Sequence, residues 1–262
     1  MSIKHCADLL YRNDKDKFLA LSFIDPSKRE NFLCLYAFYI EISKIAWLVK
    51  EHELAEIRFM WWHEKITNIF NSNETMEHPV LFSLSKVIKE NNLPLEKFSA
   101  IIESRKLDLL NKPYRSFNDQ IKYFYNSSGS IMELAYRCYT KQKSEVGVKC
   151  AQNFGFLQGV SSLISNLPIF LKSGKNVIFY EKNIKKGLQD LVKYSIKLYE
   201  ENLVYLSMLP KKNFVCFLPA AFSKTILKKA ERNPEIFLKK GYKMNTFKKR
   251  FYLLKSFYFG KI

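Results

Sequence analysis

The feature that most restricts the fold of this chain is a shortage of Gly and Pro combined with a helical spacing of apolar residues. Only eight Gly and eight Pro occur in 262 residues. Apolar residues recur at intervals of three and four over most of the chain, as on one face of an α-helix. Few Gly and Pro leave few positions for hairpin turns. The sequence therefore predicts an all-α protein.

Helices are predicted between segments that contain Asn, Pro and Ser, which favour caps and turns. The predicted ranges are 28–50, 54–71, 79–91, 95–110, 117–140, 145–171, 183–207, 214–230 and 244–258. A short leader precedes Pro26, and the β-branched and aromatic run at 173–183 is expected to be an extended loop. No repeat or low-complexity linker divides the chain, so residues 1–262 are predicted to form a single helical domain.

Membrane insertion and secretion are not indicated. The longest apolar run, at 214–222, has about half of the ~18–20 residues that a spanning helix needs. The N-terminus has no apolar segment ahead of a small-residue cleavage site. The five cysteines have neither metal-binding nor disulfide spacing, so we expect reduced core thiols in a cytosolic type of compartment.

The formal charge of +18 allows two explanations. It can attract the chain to an anionic membrane surface, or it can reflect AT-rich codon usage, since Ile, Phe, Tyr and Asn are also abundant. Nucleic-acid binding is not expected. Only eight of the 43 basic residues are Arg, the side chain that forms forked contacts with phosphates and bases, and no nucleic-acid recognition motif occurs.

Six segments, in this order and spacing, resemble the squalene/phytoene synthase family. They are YRNDKDKFLALSFIDPSKRENFLCLYAF (11–38), EIRFMWWHEKI (56–66), HPVLFSL (78–84), IIESRKLDL (101–109), YFYNSSGSIMELAYRCY (123–139) and FGFLQGVSSLISNLPIFLKSGKNVIFY (154–180). The resemblance extends over essentially the whole chain. It implies the all-α isoprenoid synthase bundle, which agrees with the apolar periodicity.

The resemblance also implies where an active member would hold Mg²⁺. Active members join two prenyl diphosphates, and two Asp-rich motifs bind the Mg²⁺ ions that help diphosphate to leave. The first motif corresponds here to residues 43–47, which read Ser-Lys-Ile-Ala-Trp, and the second to residues 166–170, which read Asn-Leu-Pro-Ile-Phe. Neither segment contains an acid, and Pro168 stands inside the helix that should present the second motif.

A small shift in the alignment does not restore the missing acids. No Asp occurs between Pro26 and Leu107. Glu51, Glu53 and Glu56 do cluster, but acids at the start of a helix are explained by the helix dipole. The sequence therefore predicts no catalytic residue and no metal ligand, with Mg²⁺ as a cofactor only if the chain is nevertheless an active prenyl transferase.

Within the family, the chain is most similar to non-catalytic relatives that act as assembly factors for respiratory complex I. The shared residues are Ala37, Phe38, Glu41, Arg58, Trp61, Trp62, Pro79, Val80 and Pro168. This resemblance implies a role in complex I assembly, with complex I subunits or assembly intermediates and a membrane surface as partners. It implies a cytoplasmic location peripheral to the inner or cytoplasmic membrane, or the matrix side of a mitochondrion.

Some residues are candidates for lining a cavity or binding a ligand. They are Glu41, Ser43, Arg58, Trp62, Ser162 and Asn166. For Glu41 we expect an ion pair with Arg58, because a carboxylate inside an apolar helix must be paired or protonated. Trp62 is expected to fill the core or to contact a lipid or isoprenoid. Ser162 and Asn166 are expected to satisfy nearby backbone groups or to bind a polar ligand.

Three functions remain open from the sequence. The first is a non-catalytic protein that assists complex I assembly, the second an Mg²⁺-dependent head-to-head prenyl transferase, and the third a lipid- or isoprenoid-binding protein without catalysis. The C-terminal run 248–262 also has two interpretations. Its basic and aromatic residues can lie in a membrane interface, or Phe251, Leu254 and Phe257 can pack against the bundle.

Overall fold

A computed structural model describes residues 2–71, 77–140, 144–260 and 262 of the chain. These residues form helices and connecting turns and contain no β-strand. The predicted all-α class is therefore confirmed. In the described part of the chain, no helix combines the length and apolar character needed to cross a bilayer.

Fourteen α-helices are present in the described residues. In chain order they are α1 (Ser2–Asn13), α2 (Lys15–Ala20), α3 (Pro26–Leu48), α4 (His52–Asn71), α5 (Pro79–Asn91), α6 (Leu95–Lys106), α7 (Phe117–Phe124), α8 (Ser130–Tyr139), α9 (Glu145–Ser165), α10 (Leu167–Lys172), α11 (Ile184–Ser207), α12 (Ser223–Arg232), α13 (Pro234–Lys239) and α14 (Thr246–Phe259). Short 3₁₀ segments occur at Leu21–Phe23, Leu107–Leu109 and Lys211–Ala220, and a π-helical segment at Tyr125–Gly129.

The segment before Pro26 is not the short leader that was predicted. It forms α1 and α2, and α1 packs against α3 and α5. Cys6 and Leu10 lie one helical turn apart and are both fully buried, because residues at i and i+4 share a face of a helix. The N-terminal segment therefore belongs to the packed core.

Helix α3 runs through the centre of the bundle. Its start is set by Asp25, whose carboxylate accepts a hydrogen bond from the Ser27 backbone N–H at 2.9 Å, and by Pro26 in the first turn. Every side chain from Phe32 to Ile40 is buried. A helix that is apolar on all sides is stable only inside a protein, which explains its central position.

Two predicted helices are interrupted in the structure. The range 117–140 contains the π-helical segment, where the Ser127 hydroxyl donates to the Tyr123 carbonyl at 2.7 Å. Helix α9 packs tightly there, since a Cβ on Gly155 would lie 2.3 Å from the Ser128 carbonyl oxygen. The range 145–171 ends early, at Ser165, because Pro168 lies in the first turn of a separate helix, α10.

A third predicted helix, 214–230, begins in the structure as the 3₁₀ segment Lys211–Ala220 and continues as α12. Pro219 has no backbone N–H and therefore interrupts regular helical hydrogen bonding there. Residues 173–183 form a loop between α10 and α11, in agreement with the sequence-based expectation.

Glu133 on α8, which sequence reasoning did not single out, carries a fully buried carboxylate. Its oxygens lie 2.8 Å from the Lys97 ammonium and 2.6 Å from the Arg137 guanidinium. The Gln152 amide donates a further hydrogen bond at 2.7 Å. These contacts join α6, α8 and α9, and they neutralise a charge that burial alone would make costly.

Candidate functional site

A cavity of about 420 Å³ lies between α3, α9, α10 and the region where α7 continues into the π-helical segment. Its apolar lining includes Ile40, Phe124, Leu163 and Ile169. Many of its other lining residues are polar or charged, and small-molecule sites combine apolar walls with polar groups that orient the ligand. The cavity is therefore the candidate functional site.

One wall of this cavity is the C-terminal half of α3. Ser43, Lys44 and Trp47 line it, since residues at i, i+1 and i+4 occupy neighbouring positions on one side of a helix. The Ser43 hydroxyl donates to the Tyr39 carbonyl at 2.6 Å. That hydroxyl therefore satisfies its own helix while facing the cavity.

The opposite wall comes from the end of α9 and the start of α10. Ser162, Asn166, Ile169 and Phe170 line it. Asn166 sits between the two helices, and its side-chain amide donates to the Ser162 carbonyl at 2.9 Å. The amide thereby satisfies one of the carbonyls left free at the end of α9.

The two walls meet through an aromatic contact. The rings of Trp47 and Phe170 lie 5.1 Å apart in an edge-to-face arrangement. The Lys175 ammonium lies 5.1 Å from the Trp47 ring and donates a hydrogen bond to the Asp108 carbonyl. The Trp47 and Phe170 rings therefore connect α3 to α10, with the Lys175 ammonium beside the Trp47 ring.

A polar cluster centred on Arg105 lines the same cavity. Its guanidinium donates to the hydroxyl of Tyr39 at 2.5 Å and to that of Tyr123 at 2.7 Å, and forms an ion pair with Asp108 at 3.0 Å. The Tyr123 hydroxyl donates to the other Asp108 oxygen at 2.7 Å. Burial raises the pKa of Tyr123 well above its usual value, with Arg105 opposing and Asp108 adding to the shift.

The charges around the cavity are unsuited to a divalent cation. Lys17, Lys44 and Arg105 line it, and Asp14 is the acid among its lining residues. The Asp14 carboxylate is already bound to the Lys17 ammonium at 2.5 Å and to the Lys17 backbone N–H at 2.9 Å. Because Mg²⁺ needs several free oxygen ligands, this set of side chains does not fit it.

A second compartment of about 600 Å³ adjoins the first. Asn13, Asp14, Lys17, Gln158, Ser162 and Asn166 line both compartments. Among the residues that the structure describes, the buried hydroxyls of Ser161 and Ser165 in this compartment have no hydrogen-bond partner. The compartment is polar and basic, so the combined space offers an apolar region beside a cationic one.

The family model for squalene/phytoene synthase matches residues 10–178, which is more than half of the chain. The chain belongs to the squalene/phytoene synthase family. This membership agrees with the resemblance seen in the sequence.

Curated relatives of this family member include complex I assembly proteins. "NADH dehydrogenase (ubiquinone) complex I, assembly factor 6" from Homo sapiens is 21% identical over 252 residues, covering 87% of this chain and 73% of the relative. The Mus musculus protein of the same name is 22% identical over 254 residues, with the same shares covered.

Solved structures establish the same fold at lower identity. The squalene synthase HpnC from Alicyclobacillus acidocaldarius has a TM-score of 0.73 and 16% identity, covering 88% of this chain and 93% of the other. A dehydrosqualene synthase in complex with a ligand has a TM-score of 0.75 and 14% identity, covering 99% and 96%. The predicted isoprenoid synthase bundle is therefore confirmed.

Three of the six candidate residues line the cavity of this squalene/phytoene synthase family member, namely Ser43, Ser162 and Asn166. Trp62 lies elsewhere. It is buried and packs edge-to-face against Phe38 at 5.8 Å and against His78 at 5.1 Å. Of the two roles considered for Trp62, the structure therefore supports core filling.

The expected ion pair between Glu41 and Arg58 is not formed. Both side chains belong to the described part of the chain, and no ion pair or hydrogen bond joins them. Glu41 is half-buried on α3, and Arg58 is exposed on α4. Glu41 instead lies near His78, where its charge raises the His78 pKa against the larger lowering caused by burial.

Sequence reasoning missed the Arg105 cluster, although Arg105 and Asp108 lie in the segment 101–109 that carries part of the resemblance. The signal was their i, i+3 spacing, which allows an ion pair on one helical face. In residues 2–71, 77–140, 144–260 and 262, no group of three or more His, Cys, Asp or Glu side chains is arranged to hold a metal ion.

Proposed function

We propose that this chain is a non-catalytic squalene/phytoene synthase family member that assists the assembly of respiratory complex I at a membrane surface. The observation that carries the proposal is the contact between Trp47 and Phe170. It occupies the junction of the two segments where the resemblance to active members puts Asp-rich motifs. Neither aromatic side chain offers an oxygen to Mg²⁺, which takes oxygen ligands.

The cationic lining supports the same proposal. A pair of Mg²⁺ ions and a diphosphate would need several carboxylates, whereas Lys44 stands within the first segment and Asp14 is bound to Lys17. The role in assembly is supported by similarity to relatives whose names state that role for complex I. Fold alone would not support it, because one fold hosts many functions.

An assay of diphosphate release tests the absence of catalysis. The purified chain is incubated with farnesyl or geranylgeranyl diphosphate and Mg²⁺, with an active dehydrosqualene synthase as the positive control. We expect no release of diphosphate above the rate without protein. Turnover that EDTA abolishes would contradict the proposal and would establish the prenyl transferase alternative.

A deletion strain tests the assembly role. Native gel electrophoresis of membranes from cells lacking the gene should show less assembled complex I, and the wild-type gene should restore the amount. Unchanged levels of complex I in the deletion strain would contradict this part of the proposal while leaving the result of the diphosphate assay intact.

The retained cavity supports a second candidate function, the binding of a lipid or isoprenoid without catalysis. Ser162 is exposed and lines both compartments, so Ser162→Trp should fill the space where they meet. Ser207→Trp, at the exposed end of α11, is the matched control. Mass spectrometry of solvent extracts should detect a lipid with the wild type and the control, and less with Ser162→Trp. An extract without lipid from all three would contradict this function.

A further inference from the structure

Helix α14 presents an apolar stripe to solvent. Phe247, Phe251, Leu254 and Tyr258 are spaced at i, i+4, i+7 and i+11, so they lie along one face. Their exposed fractions are 80%, 65%, 45% and 76%. Exposed apolar side chains are ordinary when scattered, but a row of four on one helix indicates an interaction surface.

The opposite face of α14 holds the helix on the bundle. Leu253 and Ser256 are buried, and the Lys249 ammonium forms an ion pair with Asp16 on α2 at 2.6 Å. The Phe257 ring lies 5.2 Å from Phe23. Of the three residues that one interpretation of the C-terminal run packs against the bundle, Phe251 and Leu254 point outward, and Phe257 lies at the edge. The stripe therefore belongs to a helix whose inner face is already engaged.

Basic residues flank the stripe on both sides. At about 100° per residue, Lys248 and Lys255 lie on one side of it and Arg250 on the other, and all three are exposed. No Asp or Glu occurs in the sequence after Glu235. An apolar row bordered by cations, in an acid-free segment, is the arrangement of helices that lie in the interface of an anionic bilayer.

We propose that the outer face of α14 is the surface by which this protein docks on an anionic lipid bilayer. Phe247, Phe251, Leu254 and Tyr258 enter the boundary between head groups and acyl chains, while Lys248, Arg250 and Lys255 contact lipid phosphates. The inference rests on the membrane location in the proposed function and names the element responsible for it.

Charge argues against a second copy of the chain as the occupant of this face. Two α14 helices packed through their stripes would bring Lys248, Arg250 and Lys255 of each copy together, and like charges at close range repel. An anionic bilayer instead supplies charges of opposite sign. Helix α14 also contributes Lys249 to the lining of the polar compartment, so docking would place that compartment close to the lipid.

Helix α4 provides a matched control surface. Leu54, Ile57 and Met60 are exposed on it, but Glu53, Glu56 and Glu64 are exposed on the same helix. Its apolar side chains are therefore similar in exposure to those of α14, whereas its acidic side chains would be repelled by an anionic surface. Substitution of Ile57 and Met60 by Ser removes comparable apolar area without touching α14.

The experiment is co-sedimentation of the full chain with vesicles of phosphatidylcholine alone or of an equimolar mixture with phosphatidylglycerol. We expect binding to the mixed vesicles that weakens as salt is raised. Loss of two inserted apolar side chains in the Phe251→Ser, Leu254→Ser variant should weaken binding at least ~10-fold. The Ile57→Ser, Met60→Ser variant should bind like the wild type.

A second variant keeps the test decisive if the Ser substitutions impair folding, which circular dichroism would reveal. Lys248→Gln with Lys255→Gln should weaken binding to the mixed vesicles. The proposal is overturned if the wild type does not bind them, if the α14 variants bind like the wild type, or if the α4 variant loses binding instead. It is also overturned if the wild type is a dimer that Phe251→Ser, Leu254→Ser dissociates. None of these outcomes affects the complex I assay in the deletion strain.

Discussion

The indole of Trp47 and the ring of Phe170 lie 5.1 Å apart, with an angle of 62° between their planes. The resemblance to active family members puts the first Asp-rich motif at a segment that ends with Trp47 and the second at a segment that ends with Phe170. The contact therefore joins α3 to α10 directly, at the place where the family resemblance puts metal ions between acids.

This contact should appear as an energetic coupling. We expect Trp47→Ala and Phe170→Ala to be non-additive by about 1 kcal/mol in the free energy of unfolding, since edge-to-face aromatic pairs contribute that much beyond area burial. Urea denaturation of the two single variants and the double variant measures the coupling. Trp47→Ala combined with Phe247→Ala, whose ring lies on the exposed face of α14, should be additive within ~0.5 kcal/mol. Additivity in both pairs would contradict the coupling.

The hydroxyl of Tyr123 should contribute to stability through Arg105 and Asp108. Tyr123→Phe removes the hydroxyl that accepts from the guanidinium and donates to the carboxylate. We expect a loss of about 1–2 kcal/mol in the free energy of unfolding, measured by urea denaturation. Tyr258→Phe, at an exposed residue of α14, should change it by less than ~0.5 kcal/mol. Equal effects of the two substitutions would exclude the proposed role of the hydroxyl.

Neutralising the buried acid Glu133 should be strongly destabilising. Glu133→Gln leaves Lys97 and Arg137 without the carboxylate that both contact, and removal of one member of a buried ion pair typically costs about 3 kcal/mol. Glu103→Gln, which removes an exposed carboxylate paired with Lys106, is the control and should cost less than ~1 kcal/mol. Thermal and urea unfolding measure both. A small effect at Glu133 would mean that its partners are satisfied by water.

The stability of the fold should decrease in mild acid because of His78. Burial lowers the pKa of His78 below its usual 6.5, while the nearby Glu41 opposes the shift and His5 adds to it. His78 therefore binds a proton more readily in the unfolded chain than in the folded chain. Its contribution to the free energy of unfolding is complete above pH 6.5 and is lost as the pH falls toward the lower folded pKa.

Replacing His78 by a residue that does not ionise should make the free energy of unfolding depend less on pH in mild acid. His78 caps α5, where its Nδ1 accepts from the Val80 backbone N–H at 3.3 Å, and Asn also caps helices well. His78→Asn should therefore keep the helix and reduce the loss of unfolding free energy between about pH 7 and about pH 5. Ser207→Asn, at the exposed end of α11, removes no ionisable group and should leave the slope unchanged. An unchanged slope for His78→Asn would exclude His78 as the source.

The sequence was sufficient to predict features that depend on one helix or on one segment of the family resemblance. Ser43, Ser162 and Asn166, which were chosen from segments that resemble the family, line the cavity. Glu41 and Glu133 were less predictable. Both stand in helices rich in apolar residues, but only Glu133 is fully buried beside two cations and an amide. Which acid is buried depends on the neighbouring helices, and the periodicity of one helix does not identify them.

The sequence by itself determined the all-α class, the family and the absence of acids at 43–47 and 166–170, because periodicity and residue identity are local properties. Only the tertiary structure decided that Trp47 contacts Phe170 and that Arg105 donates hydrogen bonds to Tyr39 and Tyr123. It also decided that the apolar stripe of α14 faces outward. The physical reason is that these features join residues far apart in the chain, or depend on which face of a helix its neighbours cover. Side-chain contacts of that kind are set by how the helices pack together.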